Sequence, residues 1–180
     1  MTAPKIIAGR WKGRKLMTPT GRDTRPTNIR ARQAVFDILT HAPWCELQGA
    51  HVLDVFAGTG AYGLEALSRG AASASFIEQS HEAGATLRAN IAALKVENAR
   101  LHIADALHPP AGGPHDLIFL DPPYGAALIA PALRALSAKG WVAPGAIIVV
   151  ELGPGETLDL PEVLAERTHG KARLKIWRAS

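Results

Sequence analysis

The stretch VLDVFAGTGAYGLEAL, residues 52–67, decides the fold. It starts as an apolar run of the kind that forms a buried strand, breaks at closely spaced glycines and resumes with helical spacing. Gly58, Gly60 and Gly63 satisfy G-x-G-x-x-G between strand and helix, where the lack of a Cβ lets backbone approach a ligand. In open α/β sheets, ligands bind in the crevice at the carboxyl ends of the strands. Glu78 ends the next apolar run and is placed to accept hydrogen bonds from ribose hydroxyls. These features alone leave NAD, FAD and S-adenosylmethionine open, with a ligand-free strand-to-helix turn as the plainer alternative.

Working outward, residues 51–56, 73–78, 100–105, 116–120 and 146–152 read as strands. YGLEALSRG, HEAGATLRANIAALKV and AALIAPALRALSAKG read as helices between them, while only HPPAGGPH separates the third strand from the fourth. Strands alternating with helices imply parallel pairing through right-handed crossovers, hence a doubly wound α/β sheet. VLAERTHGKARLKIW adds two β-like runs around His169-Gly170, an antiparallel hairpin that brings the sheet to seven strands, mostly parallel. Upstream, TRPTNIRARQAVFDILTHAP predicts one amphipathic helix with Thr27 or Asn28 as N-cap and Pro43 beyond its end. KIIAGRWKGRKLMTP reads as a small basic hairpin or extended arm. Arm and helix, 1–45, are expected to belong to the same domain as residues 46–180.

With 180 residues, 47% hydrophobic and 20% charged, the chain has the composition of one folded domain. Its one cysteine, Cys45, cannot form an internal disulfide or supply a zinc cluster, which suits a reducing cytosol. Neither a signal peptide nor a membrane-length apolar run is present, so a cytoplasmic location without membrane attachment is expected. Seven histidines show no paired ligand spacing, and no metal is expected. The net charge is +4, yet residues 1–32 carry +8 and residues 167–180 carry +5, leaving −9 in the middle. Basic ends on an acidic centre point to a polyanion partner, because clustered Lys and Arg displace counterions from phosphates. Arg10, Trp11, Lys12 and Arg14 in the arm, with Arg25, Arg30 and Arg32 near the first helix, are the candidate nucleic-acid contacts. Glu65, Arg69 and Arg88 read as solvated helix faces, and Cys45 as a bystander thiol.

Two details favour S-adenosylmethionine. Asp54, inside the first strand end, suits an ammonium group and would repel a pyrophosphate; Asp105, ending the third strand, is placed for the adenine amine. Then comes LDPPYG, residues 120–125, where a buried strand stops on an acid, two prolines and a tyrosine. A nucleobase amine is a poor nucleophile because its lone pair is delocalised into the ring. Hydrogen bonds from that amine to the Asp121 carboxylate and the Pro122 carbonyl favour a tetrahedral nitrogen and free the lone pair. Pro122 and Pro123 donate no N–H, so the stretch offers acceptors, and Tyr124 offers a ring on which a base can stack.

IIAGRWKGRKL, RPT followed by R-x-R and Phe36, LDVFAGTGAYGLEALSRGA, LRANIAAL, FLDPPY and the basic last strand together cover almost the whole chain. In these it resembles the bacterial small-subunit (16S) ribosomal RNA guanine-N2 methyltransferases; DPPY is shared with adenine-N6 DNA methyltransferases, the basic arm is more specific. The resemblance implies a class I, Rossmann-like methyltransferase domain that uses S-adenosylmethionine and releases S-adenosylhomocysteine. It implies that Asp54, Phe56, Ala57, Gly58 and Gly60 hold the methionine part, Glu78 the ribose, and Asp105 with Ala106 the adenine, while the segment with Arg25, Pro26 and Thr27 closes over the cofactor. Asp121, Pro122, Pro123 and Tyr124 would hold and activate the guanine amine. Ribosomal RNA in an assembled or assembling small subunit is the implied partner, and a monomer is expected. Ile29, Gln33, Asp37 and Gln79 depart from the pattern. An adenine-N6 DNA methyltransferase and a catalytically idle RNA-binding assembly factor are the competing classes; 180 residues leave the first little room for a DNA-recognition domain.

Overall fold

The computed structural model describes residues 3–20, 29–123, 127–160 and 162–180. In chain order the elements are α1 (Ile29–His41), β1 (His51–Val55), α2 (Ala61–Ser68), β2 (Ser73–Glu78), α3 (His81–Leu94), β3 (Ala99–Ile103), β4 (His115–Leu120), α4 (Ile129–Ala138), β5 (Val142–Leu152), β6 (Ala165–His169) and β7 (Ala172–Arg178). The proposed α1 N-caps, Thr27 and Asn28, lie outside the described residues.

One seven-stranded sheet runs in the order β3-β2-β1-β4-β5-β7-β6. The first five strands pair in parallel and β7 pairs antiparallel with both β5 and β6. The expected doubly wound, mostly parallel architecture is therefore present. Between β1 and β4 the strand order reverses, opening the crevice at their carboxyl ends.

Period-two alternation distributes the apolar side chains over both faces of the sheet. Val52, Phe119 and Val149 join a core with α1, α2 and α3, whereas Leu53, Val55, Ile118, Leu120 and Val150 join one with α4 and Trp141. Burial on both faces explains why these strands read as near-continuous apolar runs. Each fully buried Leu, Ile, Val or Phe contributes roughly 1.5–3 kcal/mol.

Five strand boundaries differ from expectation, two of them by a single residue at the end of β1 (Val55) and the start of β3 (Ala99). β3 ends at Ile103 rather than 105, because Asp105 starts a turn whose carbonyl accepts the His108 N–H. β4 takes in His115, and β5 begins at Val142, four residues early, with a register irregularity against β4 between His115 and Leu117.

The N-terminal segment is a hairpin bridged at Lys5 and Lys15, and it is stitched to the helices behind it. Both Glu65 carboxylate oxygens accept from its backbone, from Ile7 N–H at 2.8 Å and Ala8 N–H at 3.0 Å. Ser68 Oγ accepts from Trp11 N–H and donates to Ala8 O, while Asn90 bonds both the N–H and the carbonyl of Met17. Ile6, Trp11 and Leu16 complete the packing. Glu65 is consequently fully buried and Arg69 mostly so, ion-paired at 2.8 Å, which corrects their expected place on a solvated face. α2 is only eight residues long and is covered on every side, so no face of it is left for solvent. Arg88 does lie on an exposed face.

Candidate active site

The crevice is built at the end of β1. Phe56 takes a φ of 59° and Gly58 one of 56°, turning the chain out of the sheet toward α2. Among the described residues a Cβ at Gly58 would meet nothing within 4 Å, so none of them crowds the loop there. Gly63 serves packing instead: a Cβ would lie 2.4 Å from the Phe76 ring, so its absence lets α2 lie close on β2.

Behind the loop Asp54 is buried, and its Oδ2 accepts the Gly63 N–H at 2.9 Å. Burial pushes its carboxyl well above the usual range; the Gly63 N–H opposes that shift, and the charges of Asp121 and Glu78 add to it. Glu78 stands at the lip of the loop, its Oε2 accepting from Gly58 N–H and its Oε1 from Ser80 N–H, both at 2.8 Å. Asp54, Glu78 and Asp121 thus lie within electrostatic reach of one another at the carboxyl ends of β1, β2 and β4, with Asp54 at the centre.

Asp105 stands apart from that group. Past the shortened β3 it holds Leu107 N–H at 2.9 Å and His108 Nδ1 at 3.0 Å, and these bonds keep its carboxyl below the ordinary value. Ala106 beside it is buried in the α4-side core, with half-buried Phe56 packed against the same cluster. Ala57 is held by its N–H to Ile77 O at 3.1 Å.

Asp121 emerges from β4 half-buried, followed by buried Pro122 and exposed Pro123; Tyr124 lies outside the described residues. Below it the rings of Tyr62 and Phe119 stack at 5.0 Å, with Phe36 of α1 at 5.6 Å from Phe119. A small cleft, with room for about one water molecule, opens between Tyr62, Asp121 and Glu151. Burial raises the Tyr62 phenol well above its ordinary value, and the charges of Asp121 and Glu151 reinforce the shift.

The basic candidates separate. Arg10, Lys12, Arg14 and Arg30 are exposed, whereas Arg25 and Thr27 lie outside the described residues. Two candidates are corrected. Arg32 is fully buried and donates to Lys5 O; burial lowers its guanidinium pKa while Glu65 opposes that, so it ties α1 to the hairpin and is out of reach of RNA. Trp11 is buried in the hairpin core with the Arg10 guanidinium 4.5 Å from its ring centroid, so its ring is a packing element and offers no open face to a base. Gln33 and Asp37, two departures from the family pattern, hydrogen-bond each other at 2.8 Å on α1. No cluster of three potential metal ligands occurs among the described residues.

Sequence reasoning placed Glu65 on a solvated face and passed over Ser68 and Asn90, all of which bind the hairpin, as well as Tyr62 and Glu151, which line the cleft. Glu151 carried a signal: like Asp54, Glu78 and Asp121, it is an acid at the carboxyl end of a predicted strand.

A doubly wound sheet of this order, with a glycine loop after β1 and an acid-proline edge after β4, defines the class I methyltransferase fold. Within that class the chain belongs to the family described as conserved hypothetical protein 95, whose model matches residues 4–178, and to the ribosomal RNA small subunit methyltransferase D group of relatives. The relative of that name from Escherichia coli K12 is 42% identical over 149 residues, 82% of this chain and 73% of its own. One from Haemophilus influenzae is 34% identical over 97% of this chain and 93% of its own. A solved Escherichia coli structure, 36% identical, superposes with a TM-score of 0.84 and covers 97% of each chain.

Proposed function

We propose that this protein transfers the methyl group of S-adenosylmethionine to the N2 amine of a guanine in small-subunit ribosomal RNA. The relatives' names support the RNA class. The observation that carries the chemistry is the position of Asp121 and Pro122: an acceptor edge directly beside the glycine loop, in electrostatic reach of Asp54.

The crevice fits the donor. A glycine loop that no described residue crowds at Gly58, a carboxylate at its lip and a buried acid behind it match a ligand with ribose hydroxyls, an ammonium and a sulfonium. Asp54 and the backbone from Phe56 to Gly60 would hold the amino acid portion, Glu78 would exchange the Gly58 N–H for ribose hydroxyls, and Asp105 with Ala106 would flank the adenine. When bound, the cofactor supplies an electrophilic methyl group open to in-line attack. The chain's own part is positioning. Asp121 and the Pro122 carbonyl accept the two N2 hydrogens, pyramidalise the nitrogen and aim its lone pair at the donor. The displaced N2 proton passes to Asp121 or to water. The basic hairpin meets the phosphates of an assembled or assembling subunit.

Labelled S-adenosylmethionine, incubated with small subunits from a strain lacking the modification, should place label in N2-methylguanosine after digestion to nucleosides. Label in N6-methyladenosine, or on DNA alone, would replace this function with the adenine one. Binding without transfer under any condition would favour an assembly factor. Asp121→Ala should lower transfer by roughly 100-fold or more while keeping cofactor affinity.

A further inference from the structure

An acceptor edge for an amine serves adenine N6 as well as guanine N2, so the carboxylate of Asp121 cannot by itself select the base. The two purines differ at the neighbouring ring atom: guanine N1 carries a proton and donates, adenine N1 accepts. A site that prefers guanine therefore gains from a second acceptor beside the first.

β5 supplies one. Leu120, the last residue of β4, pairs with Val150 in parallel register on strands about 4.8 Å apart, so Asp121 leaves β4 beside Glu151 of β5. Leu120 and Val150 both point into the α4-side core. Alternation then turns Asp121 and Glu151 to the opposite face, where both line the cleft over Tyr62 and Phe119. Leu174, the β7 partner of Glu151, forms the far wall. Glu151 is 7% exposed, and its carboxylate acts on the Tyr62 phenol together with that of Asp121.

We propose that Glu151 is a specificity-determining residue: its carboxylate accepts the N1–H of the target guanine while Asp121 holds N2, and it repels a base whose N1 is an acceptor. This rests on the guanine-N2 function proposed above. Methyl transfer itself needs only the Asp121 edge, so Glu151 acts on which base is accepted rather than on the reacting nitrogen.

The test uses small subunits assembled on RNA carrying either guanine or 2-aminopurine at the target position. 2-Aminopurine keeps the amine but has an unprotonated N1. The wild-type protein should prefer guanine by roughly 10- to 100-fold in kcat/KM, the worth of a hydrogen bond to a charged group. Glu151→Gln, whose amide can donate to an accepting N1, should lose most of that preference while keeping its affinity for S-adenosylmethionine, measured by calorimetry. Equal rates on both bases by the wild type would overturn the assignment without any variant. So would a Glu151→Gln protein that slows on both bases alike and retains the preference. A wild type that labels neither base overturns the methyltransferase proposal itself, which separates the two failures.

Discussion

Single residues in this protein take their character from what covers them. Glu65 is the clearest case, because its fully buried carboxylate accepts two backbone N–H groups and pairs with Arg69. Glu65→Ala would leave those donors and a mostly buried guanidinium without an acceptor, costing about 3–5 kcal/mol. A thermal melt should fall by roughly 10 °C, and a shift under 2 °C would show that the hairpin does not depend on Glu65. Asp54 gives a pH effect whose sign is determined. Burial raises its pKa, so the native state holds the proton more firmly than the unfolded chain, and this contribution to stability fades as pH rises above the ordinary 3.8. An ammonium bound beside Asp54 favours the ionised form. Cofactor binding should therefore release protons and tighten with rising pH, seen as a buffer-dependent enthalpy in calorimetry and lost in Asp54→Asn. Cys45 behaves in the opposite way to a reactive thiol: burial pushes it up to about 11, with Arg178 opposing. Its alkylation by iodoacetamide at pH 8 should run roughly 100-fold slower than that of free cysteine and still be climbing at pH 10. A rate like that of the free amino acid would contradict the burial.

Among the elements, the N-terminal hairpin shows how closely a basic, glycine-containing stretch can be fitted to a core. Gly9 has a φ of +85°, and a Cβ there would lie 1.8 Å from the Ser68 carbonyl oxygen. Gly13 has a similar φ of +83°, but among the described residues nothing lies within 4 Å of a Cβ. Both Ala substitutions bear backbone strain of about 1–3 kcal/mol, and only Gly9→Ala must also push the hairpin off α2. Gly9→Ala should melt clearly below Gly13→Ala; equal melts would mean that the hairpin lifts away freely. The hairpin's two roles were unequally legible. Its turn glycines and its charge are visible in the chain, but the side-chain acceptors that bind it lie 57 to 73 residues away on α2 and α3. No local pattern announces contacts at that separation.

At the scale of the molecule, charge is segregated along the chain: a −9 centre carries Asp54, Glu78 and Asp121, and the two ends are positive. Replacing Arg10, Lys12 and Arg14 together with Gln should weaken binding to small subunits and flatten its salt dependence by about one unit of slope per lost phosphate contact. These residues are exposed, so the melting temperature should stay within a degree or two. Unchanged binding would assign the hairpin to packing alone.

Element order, strand polarity and the glycine crevice were determined by the sequence itself. Each depends on periodicity or on a backbone position that few residue types can occupy, and such signals are local. The tertiary structure decided what local signals cannot carry. It drew Arg32, Glu65 and Trp11 inward, because α2 is covered on every side and leaves no face for solvent. It turned Asp105 toward His108, since β3 stops two residues early. It set Asp121 beside Glu151, because parallel register pairs strands some thirty residues apart and alternation then aims both carboxylates at one cleft.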